Sequence, residues 1–263
     1  MKKLKDKSAL ITGASSGLGV DFANILAAAG CHLILVARRL ERLRQQQEKI
    51  QRQHGVRVEV IPIDLAVPDS PQILYEKVKA MDITIDVLIN NAGVGIYGGF
   101  IDIPWEQEKN MLNLDITNLV HLTKLFVKGM VAQNFGYVLN IASIGAYQPS
   151  PFYASYAAAK SFVLNFTEAL NYELRRTKVM VSALSPGVTE TEFIQTAGQQ
   201  RLTLFQRLTM MKSYPVAKIG VETMLKGKPS KIAGFLNAFS MFSYRFMPRR
   251  MTTFIAFNAM KGG

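Results

Sequence analysis

Short apolar runs rich in β-branched residues alternate along this chain with segments in which apolar residues recur at helical spacing. The apolar runs predict six strands, at residues 8–12, 32–37, 56–61, 87–90, 137–141 and 179–184. The amphipathic segments predict helices near residues 17–29, 40–53, 70–80, 105–133, 155–176 and 215–226. Near-continuously apolar strands that alternate with helices are typical of a parallel sheet covered on both faces. With right-handed crossovers, the pattern predicts an α/β fold, a doubly wound parallel sheet with helices on both faces.

No internal repeat, low-complexity tract or linker interrupts this alternation. We therefore expect residues 1–263 to form a single domain. Apolar residues make up 49% of the chain, which is ample for a core, and the charged fraction of 19% argues against disorder.

The cysteine and the histidines limit the covalent and metal chemistry. Cys31, the only cysteine, excludes an intramolecular disulfide and fits a reducing compartment. His32, His54 and His121 lie far apart and lack the spacing of metal ligands, so no metal site is expected.

Membrane signals are weak in this sequence. Its start is basic but lacks the apolar stretch of a signal peptide, because Lys5, Asp6 and Lys7 precede the first apolar run. The uncharged stretch at residues 137–159 contains prolines and several polar residues, which make it a poor membrane span. The sequence thus predicts a cytoplasmic protein without a transmembrane segment.

The net charge of +12 arises from 31 basic and 19 acidic residues. Such an excess attracts nucleic acid, anionic lipid or an acidic ligand. No zinc-finger or RNP-like motif accompanies it. We interpret the charge as a solvated basic surface and expect no nucleic-acid partner.

A glycine-rich turn follows the first predicted strand and leads into a predicted helix. Glycine adopts positive φ and lets the backbone approach a ligand closely, and a helix N-terminus offers free N–H groups to a pyrophosphate. An ordinary βα turn is the alternative, but the strand before and the helix after the glycines favour a dinucleotide site. The candidate cofactor-binding residues in this turn are Gly13, Ser15, Ser16, Gly17, Leu18 and Gly19.

The end of the second predicted strand bears on which dinucleotide binds. An NAD site usually has an acidic residue there that binds the ribose 2′-hydroxyl, whereas an Arg nearby suits a 2′-phosphate. This chain has Ala37, Arg38 and Arg39, with no acid at that point. Because guanidinium is a planar fork matched to phosphate, the sequence favours NADP(H) over NAD(H). Alternatively, the two arginines only open a solvated helix.

Tyr156 and Lys160 lie four residues apart in a strongly helix-forming stretch, which places them on one face. A free tyrosine has a pKa of about 10 and is a poor base at neutral pH. A nearby ammonium lowers the pKa of a phenol and makes it a better acid or base. Ser143 follows the fifth predicted strand, at the carboxyl edge where open α/β sheets bind ligands.

Taken in order, these motifs resemble a classical short-chain dehydrogenase/reductase. The matching pieces span nearly the whole chain: residues 12–19, Asp64-Leu65, Asn90-Asn91-Ala92-Gly93, Ser143, Tyr156 with Lys160, and Pro186-Gly187-Val188-Thr189-Glu190-Thr191. The resemblance implies a single Rossmann-like domain, a nicotinamide cofactor, a small carbonyl or alcohol substrate and assembly as a homodimer or homotetramer.

The resemblance also implies roles for particular residues. Tyr156 is the expected catalytic acid/base, Lys160 lowers its pKa and holds the nicotinamide ribose, and Ser143 binds the substrate oxygen. The remaining expected cofactor contacts are Asp64 and Leu65 with the adenine, Asn91, Ala92 and Gly93 with the adenosine side, and Pro186, Gly187, Val188 and Thr191 with the nicotinamide carboxamide.

One position departs from the family pattern. The family usually has an Asn on the long helix after the fourth strand, which supports a water relay to the lysine. That slot falls on Asp115, while Asn113 lies two residues early and points elsewhere on a regular helix. An Asp keeps the acceptor oxygens but loses the amide donor. Asp115 is either an equivalent support, which we favour, or a sign of altered or weak catalysis.

Substrate choice is expected to rest on residues 94–104 and on a lid at 188–214. The lid spacing suits either core packing or an apolar pocket, and its apolar members are Phe193, Leu202, Leu204, Phe205, Leu208, Met210 and Met211. The tail at residues 232–260 combines many aromatic and Met residues with Arg245, Arg249 and Arg250. It could close the substrate pocket, form an oligomer interface or lie on a membrane. We favour the first two together.

Two classes of function remain open. The leading one is a reductase of apolar ketones, aldehydes or 3-oxoacyl compounds. The alternative is a catalytically weak NADP-binding sensor or partner-binding module, which only Asp115 favours. Epimerase or dehydratase chemistry on nucleotide sugars is disfavoured, because no large substrate domain follows residue 191.

Overall fold

A computed structural model describes residues 2–199 and 201–261 of the chain. Its strands are β1 (Ser8–Thr12), β2 (His32–Ala37), β3 (Val58–Pro62), β4 (Val87–Asn90), β5 (Gly136–Ile141), β6 (Val179–Ser185), β7 (Thr189–Glu190), β8 (Met211–Lys212) and β9 (Ser230–Ile232). The central sheet has seven strands in the order β3-β2-β1-β4-β5-β6-β9, and all its neighbouring pairs are parallel. β7 and β8 form a separate short pair. The α/β prediction with a doubly wound parallel sheet is confirmed.

The helices connect successive strands and cover the sheet. They are α1 (Gly17–Ala28), α2 (Leu40–His54), α3 (Ser70–Ala80), α4 (Trp105–Leu112), α5 (Asn118–Ala132), α6 (Ala154–Glu173), α7 (Phe193–Thr196), α8 (Leu204–Thr209), α9 (Ser213–Leu225), α10 (Phe235–Ser243) and α11 (Arg249–Met260). A π-helical segment, Asn113–Thr117, joins α4 to α5. Short 3-10 turns lie at Lys2–Leu4, Phe100–Asp102, Ile144–Tyr147 and Tyr244–Phe246.

Alternate strand residues feed two apolar layers, because successive side chains of a strand point to opposite faces. On one face, Ile11 of β1 is buried in a cluster with Phe22 of α1 and with residues of α2 and α9. On the other face, Leu10 is buried with Leu74 of α3 and Phe126 of α5. α1, whose start borders the cleft, is thus packed against one face of the sheet.

Two details of the strand prediction are corrected. The third strand starts at Val58 rather than 56, because α2 ends at Gly55 in the left-handed conformation and the chain needs two residues to re-enter the sheet. The two-residue strands β7 and β8 were not predicted, and neither was β9. It is a three-residue edge strand paired only with β6, and it carries the exposed Lys231, so it lacks the apolar run that marks a buried strand.

The predicted continuous helix at 105–133 is also corrected. The π-helical segment divides it into α4 and α5, and Asp115 lies within that segment. Such π segments often occur at functional sites.

Where the chain is described, none of its helices combines the length and the apolar character needed to cross a bilayer.

Candidate active site

A cleft of about 600 Å³ opens at the carboxyl edge of the central sheet. The turns that follow β1 to β6 all border it, as expected for a parallel sheet whose strands end on one side. The predicted site residues that line this cleft are Gly13, Ser15, Ser16, Gly17, Leu18, Arg38, Arg39, Asp64, Leu65, Asn91, Ala92, Gly93, Ser143, Tyr156, Lys160, Pro186, Gly187, Val188 and Thr191. Gly19 and Asp115 lie behind it and are buried.

The β1–α1 turn has the geometry that a pyrophosphate needs. Gly13 has φ +65, and a Cβ there would lie 2.8 Å from the Asn91 amide nitrogen. Gly19 packs so tightly on the Gly13 carbonyl that any side chain would overlap it. No side chain caps the first turn of α1, so its N–H groups face the cleft unpaired by a cap. The turn therefore fits a dinucleotide phosphate.

Asn91 ties the ends of β1 and β4 together. Its amide nitrogen donates to the carbonyl oxygens of Thr12 at 2.9 Å and Gly13 at 3.2 Å. The backbone N–H groups of Asn91 and Ala92 both donate to the Thr12 hydroxyl. Asn91 thus holds the glycine turn in shape besides lining the cleft.

The two arginines after β2 have different surroundings. Arg38 is largely exposed, and its nearest carboxylate partner is Asp64 at 3.9 Å. Arg39 donates to Glu192 at 3.2 Å and to the Ser15 hydroxyl at 3.3 Å. Arg42 donates to the same Glu192 at 2.7 Å, and hydrogen bonds from Arg42 and Arg39 lower the pKa of Glu192. These contacts join α2 to the loop after β7 across the cofactor end of the cleft.

Ser143, Tyr156 and Lys160 meet at the middle of the cleft. Ser143 lies after β5, and its hydroxyl oxygen accepts from the Gly145 N–H at 3.1 Å. The Lys160 ammonium lies 5.6 Å from the centre of the Tyr156 ring and donates to the Ile141 carbonyl at 3.1 Å. Their hydroxyl, phenol and ammonium groups therefore face one common space.

Asp115 forms an ion pair with Lys160 in the protein interior. The two side chains are 2.9 Å apart, and 0% of the Asp115 side chain and 5% of that of Lys160 are exposed. The other carboxylate oxygen accepts from the Val94 N–H at 3.0 Å. Although the helix is π-helical rather than regular here, Asp115, and not Asn113, is the residue that contacts Lys160.

The electrostatics at Tyr156 differ from the sequence expectation. Burial raises the pKa of Tyr156, the negative charge of Asp115 raises it further, and the Ser143 side chain lowers it. Lys160 was expected to lower this pKa, but its charge is balanced by Asp115 at 2.9 Å. Burial also raises the pKa of Asp115 itself, against the lowering effect of Lys160. A protonated Tyr156 is therefore the stable form at neutral pH.

Most of the lid residues that line the cleft are polar, although Val188, Phe193 and Ile194 line it as well. Phe193 lines the cleft as predicted, but Leu208 is 69% exposed and Met210 is 40% exposed. The side chains of Leu204 and Phe205 lie outside what the structure describes. The lid's polar cleft-lining residues are Thr189, Thr191, Glu192, Thr196, Gln199, Thr203, Gln206 and Thr209.

The tail supplies an apolar wall. Asn237 of α10 packs tightly against Gly187, in the loop after β6. The phenol of Tyr97 donates to the Met260 carbonyl at 2.6 Å, which fixes the end of α11. The tail residues that line the cleft are Met241, Tyr244, Ile255, Ala256, Ala259 and Met260.

A chain of side-chain hydrogen bonds links the start of α6 to the lid, and the sequence analysis did not predict it. Tyr153 donates to Gln199 at 3.1 Å, and Gln199 donates to Gln206 at 3.1 Å. Gln206 also completes a capping box with Thr203 at the start of α8. The spacing of Thr203 and Gln206 was a visible helix-start signal, whereas nothing in the sequence pointed to Gln199 or to Glu192.

The sequence of this chain is similar to those of known proteins. The family model described as short chain dehydrogenase matches residues 7–202. The chain is 30% identical to 17-beta-hydroxysteroid dehydrogenase type 3 of Homo sapiens over 255 residues, covering 95% of this chain and 81% of that protein. It is 32% identical to the protein of the same name from Rattus norvegicus over 218 residues, 82% of this chain and 70% of that protein.

Solved structures give the same picture. A short-chain dehydrogenase from Sphingobium yanoikuyae in complex with NADPH has a TM-score of 0.79 and 28% identity, covering 91% of this chain and 94% of that one. A structure from work on 7beta-hydroxysteroid dehydrogenase stereoselectivity has a TM-score of 0.87 at 23% identity, covering 97% of this chain and 98% of that one. At that identity the likeness concerns the fold.

Proposed function

We propose a substrate class and a mechanism for this protein. The chain belongs to the short-chain dehydrogenase family, and it is therefore an oxidoreductase acting on hydroxyl or carbonyl groups. The proposal is that it reduces bulky, mainly apolar ketones with NADPH. Steroid ketones are the first compounds to test, because two similar proteins bear the name of a hydroxysteroid dehydrogenase.

The observation that carries this proposal is the composition of the cleft walls. Tyr156 and Ser143 line the same cleft as the apolar tail residues and the mainly polar lid residues. A substrate with a large apolar body and a few polar groups suits both walls. Gln148 adds a polar group on the Ser143 side of the cleft. Its side-chain oxygen is buried without a hydrogen-bond partner among the described residues, and it is available to a substrate.

The proposed reduction uses three side chains. The reduced nicotinamide, when bound, supplies the hydride for the carbonyl carbon. Tyr156 donates its phenolic proton to the carbonyl oxygen, and solvent returns a proton to the resulting phenolate beside Lys160. The Ser143 hydroxyl oxygen accepts from the Gly145 N–H, which orients its O–H group, and this group would hydrogen-bond the oxygen on which charge develops.

We propose that Arg38 gives the protein its preference for NADP(H) over NAD(H). Arg39 is engaged by Glu192 and Ser15, whereas Arg38 is exposed at the cleft with only a long contact to Asp64. A ribose 2′-phosphate would receive charge-assisted hydrogen bonds from this guanidinium. The NADPH complex among the similar structures is consistent with this choice.

The second candidate function is a weakly catalytic NADP-binding protein. The buried Asp115–Lys160 pair favours it, because a balanced lysine gives the phenol less help as a base. The pair weakens alcohol oxidation more than ketone reduction, since reduction needs the protonated phenol. We therefore place reduction first.

The test is a substrate panel read by the absorbance of reduced nicotinamide. Steroid 17-ketones and 7-ketones, bulky aryl ketones and small aldehydes are each supplied with NADPH and, separately, with NADH, using Tyr156→Phe as the background. We expect the bulky ketones to have the highest kcat/KM, with NADPH. NADPH binding without turnover of any compound would support the second candidate instead.

Three expectations about the whole molecule stay predictions. They are that residues 1–263 form a single domain, that the chain assembles as a homodimer or homotetramer, and that it resides in the cytoplasm. Light scattering after size-exclusion chromatography tests the assembly.

A further inference from the structure

The tail has an outer face that the substrate cleft does not use. On α10 and the turn after it, large apolar side chains recur on the side opposite the buried Asn237 and Met241. Phe235 is 82% exposed, Phe239 63% and Phe246 76%. We call the following set the outer face of the tail: Phe235, Leu236, Phe239, Phe242, Phe246, Met251 and Phe254, all of them exposed.

Four of these aromatic side chains contact one another in pairs. The rings of Phe235 and Phe239 stack at 6.4 Å, and those of Phe242 and Phe246 meet edge to face at 5.4 Å. Exposed apolar patches on this scale usually mark a binding surface. The outer face therefore calls for a partner with an apolar component.

The charge of the same segment restricts the partner. Residues 223–263 contain seven Lys or Arg residues and no Asp or Glu, so they carry seven of the twelve net positive charges of the chain. Arg245, Arg249 and Arg250 flank the outer face and are exposed. Among residues 2–199 and 201–261, no carboxylate forms an ion pair with any of the three. The partner is expected to be anionic as well as apolar.

A second copy of the chain fits this surface poorly. In a two-fold symmetric contact, a surface meets itself or its own neighbourhood. Here Arg245, Arg249 and Arg250 of one copy would approach the same residues of the other, with no acidic residue in the segment to compensate. Like charges brought together across an interface are unfavourable.

We propose that the outer face of the tail docks the protein on the surface of an anionic lipid bilayer. The Phe side chains enter the boundary between headgroups and acyl chains, and the arginines bind the lipid phosphates and carboxylates, as in amphipathic helices that lie in the membrane plane. This differs from the sequence interpretation, which favoured a pocket cap and an oligomer contact over a membrane. The inner face still lines the cleft, and the outer face is the new element.

Docking in this way would bring the cleft close to the lipid. The inner faces of α10 and α11 line the cleft, and one helix is only about 10 Å thick. An apolar compound dissolved in the bilayer would thus lie near the wall made by Met241 and Ile255.

The experiment is flotation of the full-length protein with vesicles of phosphatidylcholine alone or with about 30% phosphatidylserine. One variant, Arg245→Gln/Arg249→Gln/Arg250→Gln, removes the flanking charges. A second, Phe235→Ser/Phe239→Ser, removes apolar contacts. The matched control, Arg44→Gln/Lys49→Gln/Arg52→Gln, removes the same net charge from exposed positions of α2. Cofactor binding and molar mass are measured for every variant.

We expect the wild type and the α2 control to float with the anionic vesicles. The arginine variant should partition on the order of tenfold to a hundredfold less, since each cation near such a surface contributes to binding. The phenylalanine variant should not float, and salt at about 0.5 M should release the wild type. Failure of the wild type to float, or equal loss in the α2 control, would overturn the proposal. If the wild type does not float and the Phe235→Ser/Phe239→Ser variant has a lower molar mass than the wild type, the outer face joins two copies of the chain, and the proposal is overturned.

Discussion

The two ends of the cleft are built in different ways. The cofactor end consists of turns that follow β1 to β4, where Gly13 and the start of α1 present backbone groups. The substrate end consists of side chains from the lid and the tail, such as Gln206 and Ile255. Backbone recognition needs glycine and a helix start at fixed spacing, whereas a wall of side chains needs only residues of suitable size and polarity.

That difference explains why the predicted cofactor residues border the cleft whereas some of the predicted lid residues do not. Each predicted cofactor residue lies at or directly behind the cleft, because its position along the chain is tied to a strand end. At the substrate end, the predicted apolar lid residues Leu208 and Met210 face solvent instead. Four predictions test this contrast, in order of decreasing effect.

Replacing Tyr156 by Phe should have the largest effect, because Tyr156 lies where the two ends meet. Loss of a general acid typically lowers kcat by about 10²–10⁴-fold. NADPH affinity, measured by fluorescence titration, should stay close to that of the wild type. Tyr172→Phe, on the exposed side of the same helix, is the control. Unchanged turnover in the Tyr156 variant would remove this residue from the mechanism.

Exchanging the residues after β2 should alter only the cofactor end. Ala37→Asp combined with Arg38→Ala is expected to move the preference from NADPH toward NADH by about tenfold to a hundredfold, the value of a charge-assisted hydrogen bond. The ratio of kcat/KM with the two cofactors measures it. Arg44→Ala removes one charge away from the cleft and should leave the ratio as it is. Equal use of both cofactors by the wild type would refute the argument from Arg38.

Asp115→Asn should change the pH dependence. The carboxylate charge raises the pKa of Tyr156, so its removal lowers that pKa. Alcohol oxidation needs the phenolate and rises with pH, and in the variant this rise should occur at lower pH. Ketone reduction needs the protonated phenol, and its fall at high pH should also move lower. At a fixed pH below the rise, oxidation gains about tenfold for each unit of movement.

The control for this pH experiment is Asp82→Asn, which removes an exposed carboxylate that precedes β4, whose other end borders the cleft. Its profiles should match the wild type. Profiles of Asp115→Asn that move to higher pH would contradict the assignment of Asp115 as the charge that opposes Lys160.

Ile255→Ala should have the smallest effect, confined to the substrate end. Ile255 lines the cleft, and a buried methylene contributes about 0.8 kcal/mol, so kcat/KM for a bulky ketone should fall about threefold to tenfold. Small aldehydes should be unaffected, since they do not reach the tail. The neighbouring Phe254→Ala lies on the outer face and serves as control. A drop of the same size in both variants would mean that the tail does not bind substrate directly.

Most of the fold could be predicted from hydrophobic spacing. Five of the six apolar strands were found because they are buried on both faces, as at residues 87–90, where the whole strand is buried, whereas β3 lies at the sheet edge and is only partly buried. β9 escaped prediction because its three residues at the sheet edge depend on pairing with β6 rather than on their own pattern. The π segment around Asp115 escaped as well, since its local sequence resembles an ordinary helix.

The candidate site also contains residues that local spacing predicts and residues that it does not. Gly13, Ser143, Tyr156 and Lys160 could be selected because the spacing between them follows from strand ends and one helical turn. Glu192 and Gln199 could not, because they act through partners more than forty residues away along the chain, Arg39 and Tyr153.

By itself the sequence determined the α/β class, the six apolar strands and the glycine turn between the first strand and the first helix, because short-range spacing encodes all of these. Only the tertiary structure decided three further points. It set the charge around Tyr156 through the 2.9 Å pair of Asp115 and Lys160. It gave the lid a mainly polar inner surface, and it gave the tail one face that lines the cleft and another that is exposed. The physical reason is that electrostatics and burial depend on distances between residues remote in the chain, which no local pattern records.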